Sequence, residues 1–369
     1  MTEALWIHLW PVINLAGLGF FTSLGVTGFM VFAGLGDTPN ARSNHKHVTP
    51  SCGGVGLVAA FGVCSLALVL IHPQLLGAMP LTFAKILSLV FAVAALGLCD
   101  DLFEFSARFK FALMILLSAL GVSCVGYPSA LPLGDSVIPL PPFIGFWGAV
   151  LWVFVVINAV NFIDGANGLM ANTLIIPCLA LGFIGLSSGS VVAAFLCGAL
   201  FVGLLGFLPY NMRSKAAIFC GDTGALLAGY VFALAGLAVI HAEDGANLVY
   251  FVPLLILPIL ADVLLTLLWR AKRRKNLLAP HKEHLFARIL SMGVGHMQIT
   301  WVYGFLTLLF ANIAVFGVQS GYIRSPFYIG FFVVVMAAAY FIVGRLIEKA
   351  DAGSEIPAPT HSADKASSD

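Results

Sequence analysis

VFAGLGDTPNARSNHKHVTPSCGGVGLVAAFGVCSLALVLI, Val31 to Ile71, sets a polar loop against an apolar run. From Asp37 to Gly54 it carries one acid, two basic residues, two histidines, two prolines and a closing Gly-Gly. The stretch that follows, 53–71, holds no charge. Its length is close to the roughly 20 apolar residues that a helix needs to cross a bilayer. Another apolar segment precedes the loop. The loop is therefore read as a connection between two membrane spans.

Composition extends that reading to the whole chain. The 369 residues are 60% hydrophobic and 9% charged, with a mean hydropathy of +1.01. A soluble domain is about 25% charged, so a water-soluble globule is excluded. A net charge of +1 gives no bulk attraction to nucleic acid. The seven cysteines, Cys52, Cys64, Cys99, Cys124, Cys178, Cys197 and Cys220, show no paired spacing, and most lie in apolar runs. They suggest neither a disulfide framework nor a zinc site. The N-terminus has no basic region or cleavage pattern, so no removable signal peptide is expected.

Eleven spans are expected, near 9–33, 53–71, 81–99, 109–127, 143–161, 172–188, 191–208, 223–241, 248–269, 298–318 and 326–346. If the Asp37 loop faces the cytoplasm, sixteen of the eighteen Lys and Arg residues lie inside, and only Lys85 and Arg324 lie outside. That distribution obeys the positive-inside rule. The expected fold is an all-α polytopic membrane protein, N-terminus outside and C-terminus cytoplasmic. A single transmembrane catalytic domain occupies 1–347. The polar tail, 348–369, is expected to be disordered.

Sorting polar residues by side places them together. Asp100-Asp101 ends span three, and Asn158, Asn161, Asp164 and Asn167 end span five. Asp222 opens span eight, and His281 and His284 lie in the last large loop. All fall on the cytoplasmic side, and carboxylates at membrane depth usually mark a site. Asp100-Asp101 alone is also read as a solvated helix end or a charge pair with Arg108 and Lys110. In NAVNFIDGANGL, Asn158, Asn161 and Asp164 are spaced by three and can share a helical face. Oxygen ligands in that pattern suit Mg²⁺, against a capped helix end with a Gly turn. In FCGDTGALLAG, Asp222 reads as an N-cap or a metal ligand, and Phe219 as a base-stacking ring or an interfacial anchor. The basic run Arg270 to Lys275 reads mainly as a topology anchor that attracts anionic lipid. His281 and His284, three apart, would share a face on a helix and suit phosphate contacts better than metal binding. Asp262, an acid inside span nine, is an exception to the one-sided pattern; it is read as pairing with a neighbouring helix or lying near the span's end.

In order, these motifs resemble the polyprenyl-phosphate N-acetylhexosamine-1-phosphate transferases. Members of that family join a sugar-1-phosphate from a UDP-sugar to a lipid phosphate and release UMP. The resemblance covers roughly 37–290. It rests on D-x-P-x-x-R…T-P-x-x-G-G, the Asp-Asp pair, N-x-x-N-F-x-D-G-x-x-G-L, F-x-G-D-x-G and H-x-x-H. It implies Asp222 and Asn161 as ligands of Mg²⁺, with Mn²⁺ as the alternative ion. It implies Asp100 as the group that deprotonates the lipid phosphate, with Asp101 beside it. Lys110, Lys46 and Arg42 would face phosphates. Phe219 would stack on uracil with Asn167 near the base, and Asn158 and Asp164 would line the substrate region. His281 and His284, with Arg288 beyond them, would contact pyrophosphate. Implied partners are undecaprenyl phosphate, a UDP-sugar and the bilayer, with a homodimer left open. The implied location is the bacterial inner membrane, with the site facing the cytoplasm.

Two departures stand out. The family's acidic motif often ends in Asp or Asn where this chain has Glu104. The last loop reads HKEH rather than consecutive histidines, which argues against the branch that uses UDP-MurNAc-pentapeptide. A UDP-N-acetylhexosamine or a 6-deoxy relative is expected instead. A transporter is the rival from another class, but it predicts polar residues near span centres. The acid-rich motif of CDP-alcohol phosphatidyltransferases is absent.

Overall fold

The computed structural model describes residues 2–34, 36–37, 49–77, 80–242, 245–277, 279 and 281–354. Arg42 and Lys46 lie outside the described residues. Ten described helices are long and apolar enough to cross a membrane. They include α1 (Thr2–Ala33), α2 (Gly54–Ile71), α3 (Pro80–Phe103), α4 (Ala107–Val125) and α5 (Pro142–Ile163). They continue with α6 (Leu169–Ser187), α7 (Val191–Asn211) and α8 (Gly221–His241). The ninth expected span is helical but broken, into α9 (Phe251–Leu255) and α10 (Leu257–Lys272). The break sits at Ile256, two residues before Pro258, which has no N–H to continue the helix and disfavours helical backbone before it. The short α11 (Leu285–Ser291) was not foreseen; α12 (His296–Gln319) and α13 (Pro326–Ser354) complete the bundle.

Two small antiparallel ladders interrupt the helices. Strands β1 (Gly36–Asp37) and β2 (Thr49–Pro50) close the base of the Asp37 loop. Strands β3 (Ala130–Leu133) and β4 (Ser136–Pro139) form a hairpin at the opposite end of the bundle. Helix α13 continues through Glu348 and Lys349 to Ser354, so the tail expected from 348 starts inside a helix. Glu, Lys and Ala there are good helix formers.

Helix α8 is the axis. Its whole span is buried, whereas α1 and α13 are mostly open to lipid. Helices α2, α3, α4, α5, α6 and α7 all pack on it. Between helices in lipid, close packing of small residues does the work that water exclusion does in soluble proteins. A Cβ added at Gly97 of α3 would lie 2.5 Å from the Asp222 carbonyl oxygen, and one at Gly54 of α2 would collide with the Gly224 backbone nitrogen. Both helices thus touch α8 at its first turn. Asp101 stands four residues after Gly97, one turn further along the same face.

Helix α3 ends on a strained residue. Glu104 has φ +48° and donates its N–H to the Asp100 carbonyl at 2.9 Å. Left-handed backbone costs an ordinary L-residue about 1–2 kcal/mol, while Gly or Asn tolerates it. This gives a physical reason for a short Asp or Asn at the position.

Two outcomes are expected. Gly97→Ala should destabilise the protein by about 1–3 kcal/mol through overpacking, whereas Gly148→Ala, whose new Cβ meets nothing within 4 Å, should not. Glu104→Gly should instead stabilise it, by about 1 kcal/mol. Thermal unfolding of the detergent-solubilised variants checks both signs.

Candidate active site

The site starts from a capping problem. The first N–H groups of a helix have no partner inside it, and Cys220, the N-cap of α8, supplies no side-chain bond. Asp101 supplies the bonds from α3. Its carboxylate accepts from Asp222 N at 2.9 Å and Thr223 N at 3.0 Å, and from the Thr223 hydroxyl at 2.8 Å. Gly221 enters this turn with φ +72°, and a Cβ there would crowd Ser51 O and Asp101 Oδ2. The preceding segment is zipped to the first loop. Phe219 N donates to Pro50 O at 2.7 Å, Gly53 N to Phe219 O at 2.9 Å and Gly54 N to Cys220 O at 2.8 Å. The T-P-x-x-G-G and F-x-G-D-x-G elements are therefore in direct contact. Phe219 is half-buried there.

Asp222 points back toward α4 and α5. Lys110 bridges Asp222 and Asp100, at 2.7 Å from Asp100 Oδ2. Asn161 Nδ2 donates to Asp222 Oδ1 at 2.7 Å. Phe105 N donates to Asp100 Oδ1 at 2.9 Å, which folds the α3–α4 turn over that carboxylate. Asp164 stands close enough to feel the charges of Asp222 and Asp101. Burial, and then those two charges, push its carboxyl well above the usual carboxylate range. Its carboxylate has no hydrogen-bond partner among the described residues. Four acids thus gather around Lys110 at one end of the bundle.

Two expected substrate residues have other partners. Asn158 donates to Phe154 O at 2.7 Å within α5 and is buried. Asn167 is buried among loop backbones. Its amide donates to Arg213 O at 2.8 Å, and its carbonyl accepts from the Thr300 hydroxyl at 2.7 Å. A residue the sequence reading passed over, Asn211, ties the same loops together. Its Oδ1 accepts from Gly168 N at 2.7 Å and its Nδ2 donates to Ile218 O at 2.8 Å. The only signal for it was a polar residue closing the otherwise apolar α7.

The HKEH stretch is not helical; α11 begins at Leu285, with His284 as its N-cap. The two rings nevertheless pack, with centroids 4.8 Å apart. Both meet Phe162, at 6.5 Å and 5.5 Å, and Phe162 follows Asn161 in sequence. This contact joins the last loop to the acidic cluster. Arg270 and Lys275 of the basic run hold Glu283 between the histidines, so part of that run has a structural role. Arg288 donates to Gly344 O at 3.1 Å and lies 3.8 Å from Glu348. It is engaged with α13.

Burial depresses both imidazoles to about 4; repulsion from His284, Arg270 and Lys275 adds to the effect on His281. For His284, a backbone hydrogen bond with Asp262 opposes burial and Arg270 reinforces it. Both are neutral near pH 7. A depressed histidine pKa means the folded loop binds fewer protons than the open one. Loop stability is complete above about 6.5 and is lost as pH falls toward 4. Hydrogen exchange of 281–286, corrected for intrinsic rates, should show protection falling by up to about tenfold per pH unit per group in that window. Protection of α8 should not follow.

Residues 83–240, from α3 through α8, match the family model for glycosyl transferase family 4. The probable undecaprenyl-phosphate N-acetylglucosaminyl 1-phosphate transferase of Bacillus subtilis (strain 168) is 26% identical over 323 residues, 85% of this chain and 86% of the relative. The undecaprenyl-phosphate alpha-N-acetylglucosaminyl 1-phosphate transferase of Escherichia coli (strain K12) is 24% identical over 355 residues, 91% of each chain. The decaprenyl-phosphate N-acetylglucosaminephosphotransferase of Mycobacterium leprae (strain TN) is 29% identical over 332 residues, 82% of this chain and 80% of the relative. The matched region carries the whole acidic cluster with Lys110 and Asn161, and that match and these relatives support the polyprenyl-phosphate N-acetylhexosamine-1-phosphate transferase family.

Proposed function

We propose that this protein transfers N-acetylglucosamine-1-phosphate, or a closely related sugar-1-phosphate, from a UDP-sugar to undecaprenyl phosphate and releases UMP. The observation that carries this reading is Lys110 held between Asp100 and Asp222, with Asn161 on the second acid. Phosphoryl transfer asks a protein mainly to position two phosphates and to neutralise their oxygens. Lys110 is poised to exchange a carboxylate for a phosphate oxygen. Asp100, freed of it, is placed to take a proton from the lipid phosphate. The lipid oxygen then bonds to the β-phosphorus, and the bond from that phosphorus to the UMP oxygen breaks.

The donor set fits Mg²⁺. Among the described residues no three His, Cys, Asp or Glu side chains form a ready cage. Asp222, Asn161 and Asp164 offer oxygens alone, which suits a hard ion that completes its shell with substrate phosphate and water. Bound there, it would supply charge neutralisation at the pyrophosphate oxygens. The neutral His281 and His284 would donate to the same pyrophosphate from the side of Phe162. The HKEH spacing and the names of the relatives favour an N-acetylglucosamine donor over the MurNAc-pentapeptide donor. The Lys and Arg distribution supports a cytoplasmic site in a bacterial inner membrane.

Purified protein given undecaprenyl phosphate, Mg²⁺ and a panel of UDP-sugars should release UMP, and chelation should stop the release. Silence with every sugar, beside an active control enzyme, would overturn the reading. Lys110→Met, Asp100→Asn and Asp222→Ala should each lower turnover by at least about a hundredfold, the scale of losing a central electrostatic group, while unfolding normally. Isolation of a phosphorylated enzyme from UDP-sugar without lipid would replace direct attack by a covalent route.

A further inference from the structure

Asp262 takes no part in the cluster around Lys110, yet it is 2% exposed in the middle of α10. An acid at that depth is costly unless its oxygens are satisfied. Four donors satisfy it. The Tyr303 hydroxyl of α12 donates at 2.7 Å and the Thr266 hydroxyl at 3.4 Å. The other two are main-chain groups of the first turn of α11, Leu285 N at 2.7 Å and Phe286 N at 3.2 Å. Helix α11 has seven residues and no side-chain cap of its own. So short a helix does not hold itself, and the carboxylate of α10 supplies its missing cap. The His284 Nδ1 atom lies 3.8 Å from Asp262 Oδ1, buried and without a hydrogen-bond partner. Two turns further along α10, the buried Arg270 grips Glu283 and donates to Asn276 O at 2.7 Å. The segment that carries both histidines is therefore fastened to α10 on each side of His284.

We propose that Asp262 is a positioning residue: it clamps the start of α11 and so sets His281 and His284 at the depth where they meet the pyrophosphate of the sugar nucleotide. This assignment rests on the proposed transferase reaction. It separates Asp262 from a helix-pairing acid. An acid that only joined α10 to α12 would need Tyr303 and Thr266, but not the two amides of α11. The fastening passes to the reaction through Phe162, whose ring touches both histidines and whose neighbour Asn161 bonds Asp222.

The test is Asp262→Asn, which keeps the shape but turns one acceptor into a donor facing donors. KM for the UDP-sugar should rise by about tenfold or more, the worth of one hydrogen bond to a charged acceptor. KM for undecaprenyl phosphate and kcat per folded molecule should change little. A merely structural role would lower the active fraction, and so Vmax, and leave KM alone. Hydrogen exchange should show Leu285 and Phe286 losing protection while α8 keeps its own. Tyr303→Phe, which removes one donor and leaves both α11 bonds, should raise the same KM by less; it carries the test if Asp262→Asn does not fold. An unchanged UDP-sugar KM in a folded variant overturns the proposal, as does unchanged protection of α11. Wild-type protein that releases no UMP would instead overturn the proposed reaction, and the exchange result would still decide whether the clamp exists.

Discussion

The bond from Asp101 to the start of α8 is the interaction on which the rest of the site is built. A helix buried along its whole length cannot leave its first amides to water. With no cap in its own sequence, α8 takes one from α3. That requirement brings the end of α3 to the start of α8, and Gly97 makes the approach sterically allowed. Asp100 then comes with Asp101, and the turn through Glu104 brings Lys110 back onto Asp100 and Asp222. The N-terminal end of α8 carries partial positive charge, which favours carboxylates clustering there.

The cluster is unbalanced in charge. Four acids stand near a lysine that bridges only two of them, Asp100 and Asp222, and burial with neighbouring charge holds Asp164 against ionisation. Such a set is costly unless its charges are compensated. Its place at one end of the bundle matters equally. A water-soluble sugar nucleotide and a membrane-borne phosphate can meet only at the boundary between their two solvents.

The two halves of the site are held differently. The acidic half stands on the buried axis, and its backbone is fixed by the packing of six helices. The histidine half hangs on α11 and on contacts with α10, and its neutral imidazoles depend on remaining buried. The first half suits catalytic groups that must not move. The second suits a segment that can move.

Much of this was legible in the chain itself. Apolar length announced the spans, and the clustering of Asp100, Asp101, Asn161, Asp164, Asp222, His281 and His284 by side announced a site, because span lengths alone decide which residues share an end. The order of the motifs announced the family. Tertiary structure decided what each group does at its position. Asp101 caps a helix more than a hundred residues away, and Asn167 and Asn211 join loops. Asp262 faces an amide turn that no local pattern reveals. The break at Ile256 and the unwound HKEH segment also went against helical spacing. Sequence by itself determined solvent, span count to within one interrupted helix, and the residue types at one end. Only the packing of helices distant in the chain decided the partners, because a hydrogen bond depends on distance and angle, and neither is encoded in the spacing of residues along one helix.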